Sequence, residues 1–208
     1  MSENMPEKSG LFLVDLKENR RQLALSLKDI AHFEPSDDMG DTFHFVTHTE
    51  FSPDNRYVAF LHRWYKGTFR KTRLLVYEVA SGRLFASPTT GMVSHYHWNR
   101  ENGIVAYCRM EDIDSHVYFS SPGMTAWKRC GYPQLNSDGH HHFIEHRERP
   151  FQDIQVSGRK RVEGAGKECF CFHNCQSIGV LPSFMRISLV FEKCLQPKNP
   201  LYAERGLG

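Results

Sequence analysis

The sequence predicts an all-β chain, a partial β-propeller of about two and a half four-stranded blades, and three observations predict it. Histidines recur at a regular interval, with His95 lying 47 residues after His48 and His140 lying 45 after His95. Each precedes an aromatic side chain by three residues: Phe51, Trp98 and Phe143. The segments between them are short, apolar and bounded by turn residues, the pattern of strands. A period of roughly 40–50 residues built from short strands is that of four-stranded blades around a central channel.

Taken in order, the polar residues 1–10 are expected to be disordered, and LFLVDLKENRRQLALSLK (11–28) reads as the third and fourth strands of a first blade. HTEFS, YVAFLHRW, TRLLVYEV and RLFASP follow as a complete blade. HYHWN, IVAYCRM, HVYFSS and AWKRC form the next. In SPDN, Pro53 presets φ for the first corner of a turn, and Asp54 and Asn55 tolerate the rest of its geometry. Ser81-Gly82 and Pro122-Gly123 close outer hairpins. DGHHHF opens a third blade that IEHRERPFQDIQVSGRKRVEGAGK does not continue. The blades thus span 11–149, and 150–208 is an irregular or poorly ordered tail, either a divergent domain or sequence read out of frame.

Composition separates the same two parts. After Asp153 eight basic residues face four acidic ones, leaving the tail at +4 and the rest at −2 within a net charge of +2. That small total predicts neither a nucleic-acid nor a membrane-surface partner. The polar start lacks the apolar run of a secretory leader, and six irregularly spaced cysteines make a poor disulfide framework, so a cytoplasmic setting is expected. In CFCFHNC, a strand would set Cys169, Cys171 and His173 on one face, with Cys175 or Cys194 completing a tetrahedral zinc site. The spacing matches no finger or ribbon, and unselected thiols explain the cluster better than a zinc site does.

GLFLVDLKENRRQLALSLKDI, EFSPDNRYVAFLHRW, GMVSHYHW and NSDGHH resemble the TolB-like propellers, and within them the oligogalacturonate-lyase-like branch, over about residues 10–142. The resemblance implies a binding or scaffold module for an acidic oligosaccharide or a protein partner. Its alternative is a metal-assisted uronide lyase acting by β-elimination, with a divalent cation such as Mn²⁺ at the channel mouth. A chain with too few blades to close a ring also leaves strand edges open to self-association.

In a blade the first strand is innermost, so His44, His48, His95, His97 and His140 are expected near the channel mouth, joined by His62, Arg63 and Arg109 from the ends of second strands. Imidazole and guanidinium groups suit an anionic ligand, and imidazole suits a transition metal. The expected ligand-binding set is His44, His48, His62 and His97, and the metal set is His48, His95 and His140. In the lyase reading His95 acts as base, with Arg63 and Arg109 holding the carboxylate. A histidine at a strand start also serves structurally, by donating to backbone in the neighbouring blade.

Overall fold

The computed structural model describes residues 4–40, 42–133, 137–145 and 152–157. Among these residues it is all-β apart from one short helix. The elements are β1 (Gly10–Asp15), β2 (Arg20–Ser26), α1 (Leu27–His32), β3 (Phe45–Phe51), β4 (Tyr57–Lys66), β5 (Phe69–Glu78) and β6 (Leu84–Ala86). Then follow β7 (Val93–Trp98), β8 (Ile104–Met110), β9 (Ile113–Phe119), β10 (Trp127–Cys130), β11 (His140–Glu145) and β12 (Gln152–Ser157). Strands pair antiparallel with their sequence neighbours, giving two four-stranded sheets, β3-β4-β5-β6 and β7-β8-β9-β10, and two-stranded sheets β1-β2 and β11-β12.

Burial on both faces explains why β4 and β5 read as continuous apolar runs rather than alternating ones. Val58, Phe60, Leu75 and Tyr77 pack with Leu11, Leu27 and Ile30 of the preceding unit. Their neighbours Ala59, Leu61, Leu74 and Val76 point the other way, onto Ile104, Ala106, Val117 and Phe119 of the second four-stranded sheet. The first four-stranded sheet is therefore the middle layer of a stack, with β3 at an edge of this sheet and β7 at an edge of the next.

The turns follow their residue chemistry. Ser52 Oγ donates to Asp54 Oδ1 at 2.7 Å, the same carboxylate oxygen accepts from Arg56 N at 3.0 Å, and Asn55 takes the left-handed conformation at φ 60°. One repeat later Asn99 Oδ1 accepts from Glu101 N and Gly103 N, and Asn102 takes φ 61°. The two turns touch, Asn102 Nδ2 donating to Asp54 Oδ2 at 2.7 Å.

Two elements depart from the sequence reading. Where residues 11–28 read as strands, β2 ends at Ser26 and α1 begins, because Ser26 and Asp29 form a reciprocal cap. Ser26 Oγ accepts Asp29 N–H at 3.0 Å and Asp29 Oδ2 accepts Ser26 N–H at 3.1 Å. Ser26→Ala should lower unfolding free energy by about 1 kcal/mol, read from the urea midpoint, whereas an unchanged midpoint would show that the cap contributes nothing. The second departure is β12, which pairs with β11 where no strand pattern was expected. With Ile154 and Val156 its only alternating apolar residues, its periodicity is too brief to register. Residues 4–9, expected to be disordered, also contribute backbone partners: His44 N donates to Asn4 O at 3.1 Å and Leu27 N to Ser9 O at 2.7 Å. The CFCFHNC cluster, with the zinc site weighed for it, and the reading-frame question lie outside the described residues.

Candidate functional site

Where the first strands of the two four-stranded sheets meet, a cleft of about 370 Å³ is lined by His48, Arg63, Arg70, Thr72, His95 and Asp138, among others. Arg63 is its most unusual residue. The strand β4 carries it opposite Phe45 of β3 and Thr72 of β5, so neither cross-strand neighbour offers a carboxylate. Its residue is only 8% exposed, yet Nε is buried without a hydrogen-bond partner. Burial, reinforced by the like charge of Arg70, pulls its pKa below the ordinary arginine value. Among the described residues neither arginine forms an ion pair with a carboxylate. A buried guanidinium nitrogen without an acceptor is costly unless something accepts from it.

The opposite wall is built from β7 and the approach to β11. His95 Nδ1 lies 3.0 Å from Asp138 Oδ1, which also accepts from Ser94 Oγ at 2.5 Å. The His95 ring meets His140 edge-on at 4.3 Å between centroids and His48 at 6.4 Å. Both edge strands carry a bulge here, with register shifts between Thr47 and Glu50 in β3 and between Val93 and His95 in β7. Bulges re-aim side chains beside sites of function. His48, exposed at the rim, takes φ 54°, and its Nδ1 lies 3.0 Å from Thr47 Oγ1. Partial loss of hydration, then the charges of Arg63, His95 and His140, hold its pKa below the ordinary value.

Other residues expected at the mouth lie elsewhere. His44 and His62 are fully buried in a directional relay. Arg73 Nε donates to His62 Nδ1 at 3.1 Å, which leaves His62 Nε2 to donate to His44 Nδ1 at 2.9 Å and His44 Nε2 to donate to Met39 O at 3.0 Å. Burial pushes His62 down to about 2, so the relay is neutral. Arg73 also donates to the carbonyls of Ile30, Phe33 and Glu34, tying the end of α1 to β5. Arg109 is engaged by its cross-strand neighbour, Nε to Asp114 Oδ1 at 2.7 Å and Nη2 to Oδ2 at 3.0 Å. His44, His62 and Arg109 thus do not line the cleft.

His97 lines a separate recess of about 280 Å³ with Glu50, Trp98 and Phe143. Its Nδ1 lies 2.9 Å from Glu50 Oε1, and that hydrogen bond raises its pKa against the opposing effect of burial. A raised folded-state pKa means that the pair stabilises fully below the ordinary value of about 6.5 and that this contribution is lost as pH rises through the folded value. The stability difference between the wild type and His97→Gln should therefore be largest in mild acid and shrink toward alkaline pH. Urea midpoints across that range would check it, and a pH-independent difference would contradict it.

Among the described residues no group of three or more His, Cys, Asp or Glu side chains is placed to hold a metal ion. The His48, His95 and His140 rings adjoin without converging, so the expected Mn²⁺ set does not fit and no chemical step is assigned to a metal. Arg70, Ser94 and Asp138 are cleft residues that sequence reasoning passed over. Asp138 stands two residues before His140 in the same NSDGHH segment, a signal that was present. No known protein family, curated protein or solved structure matches the chain. Among the described residues no helix is long and apolar enough to cross a membrane.

Proposed function

We propose that the two four-stranded sheets are consecutive blades of a TolB-like propeller, and that the cleft between them makes the chain a binding or scaffold module for an acidic oligosaccharide. The observation that carries the binding reading is Arg63, nine-tenths buried, its Nε unpaired, in a cleft shared with Arg70 and His48. A carboxylate entering there would accept from the guanidinium in a charge-assisted geometry, each such hydrogen bond contributing about 1.5–3 kcal/mol. Ser94, Thr72 and the imidazoles offer partners for sugar hydroxyls. The blade reading is supported by the sequential strand order within each sheet and by the contact of β7 with β11 as well as β8.

Calorimetric titration with trigalacturonate and with its methyl ester tests the proposal. Saturable binding of the acid, weakened by salt and absent for the ester, is the expected result. Equal binding of both, or of neither, would overturn it. The lyase reading draws support from one feature: Asp138 holds His95 as a carboxylate holds a general base. Near-ultraviolet absorbance of an unsaturated product would favour that reading, and its absence would leave the module reading alone.

A further inference from the structure

We infer that Tyr96 is a positioning residue of this cleft: its phenol, reaching from the second four-stranded sheet into the first, fixes the bulge that delivers His48. The inference rests on the cleft being the ligand site.

His48 has a left-handed backbone, φ 54°, uncommon for a residue other than glycine although histidine is among the side chains enriched there, and the surrounding structure holds it in place. The register shows what is enforced. Thr47 pairs with Leu61 and Glu50 with Ala59, so His48 and Thr49 together oppose Phe60. Both carbonyls at this irregularity, those of His48 and Ala59, lie within reach of the Tyr96 hydroxyl as acceptors. The ring itself packs against the core between the two sheets.

Tyr96 stands between His95 and His97 on β7, and strand alternation points it away from them. One strand thus presents His95 to the cleft from one face and sets His48 from the other. A ring needed for packing alone would be served by phenylalanine. The hydroxyl serves the bulge, and through it the spacing of the two imidazoles.

Tyr96→Phe separates these roles. In the unliganded protein, NMR should show the His48 resonances shifted and the His48–His95 ring-proton NOE weakened or lost, with the His44 and His62 resonances unchanged. Affinity for trigalacturonate should fall about fivefold, the equivalent of one neutral hydrogen bond. Adding Tyr96→Phe to His48→Ala should cost nothing further. Unchanged His48 shifts with an intact NOE would overturn the inference. Glycine adopts φ 54° freely, so should Tyr96→Phe fail to fold alone, His48→Gly should restore its folding, and failure to do so would equally contradict the role. If the wild type binds no trigalacturonate, the binding reading falls, while the NMR comparison still decides whether Tyr96 sets His48.

Discussion

Arg63→Met should weaken trigalacturonate binding by about 30-fold or more while leaving the protein at least as stable as the wild type. The two halves have one cause. Arg63 is a buried cation whose Nε has no acceptor, so its interior charge is a cost that a carboxylate bound in the proposed site would offset. A methionine of similar length fills the space without that cost. Removing even one charge-assisted hydrogen bond of about 2 kcal/mol corresponds to the stated loss of affinity. Calorimetry and a urea midpoint on the same preparation check both halves. A strongly destabilised variant would mean that the guanidinium serves the fold instead.

Arg73→Met should do the opposite, lowering stability by about 3–5 kcal/mol with no specific effect on the cleft. Arg73 is the donor for His62 and for three carbonyls around the end of α1. Truncation leaves four acceptors without their donor in a region of low dielectric. Arg73→Lys should recover only part of the loss, because an ammonium lacks the planar fork that reaches acceptors in several directions. Loss of the urea midpoint with retained ligand affinity per folded molecule is the expected outcome. A loss below about 1 kcal/mol would show that water replaces those donors without penalty.

Arg63, Arg73 and Arg109 also show how far the sequence could be read. Strand order, the turns at Ser52–Tyr57 and Asn99–Gly103 and the two-sided burial of β4 are local properties, and local patterns express them. The register that settles the fate of each arginine is expressed less directly. Arg63 and Arg109 look alike at the ends of second strands, yet Arg109 faces Asp114 across its hairpin and Arg63 faces Thr72. The first pairing neutralises its arginine, and the second leaves Arg63 Nε without an acceptor. His44 and His62 fail for a related reason: periodicity gives the face of a strand but not the loop and helix end that cover it, here supplied by Met39 and by Arg73 bound to α1. His48, His95 and His140 do meet because they recur on the first strands of successive sheets, whereas their failure to converge on a metal depends on bulges and ring orientations that no spacing encodes.

The most direct test of the central claim is to follow the Arg63 Nε–Hε resonance in a ¹⁵N-labelled protein, assigned by its loss in Arg63→Met, while trigalacturonate is added. A carboxylate accepting from that orphan donor should move the resonance to saturation along the same binding curve as the calorimetric heat. A resonance that stays in place while ligand binds, or while none binds at any concentration, would contradict the account.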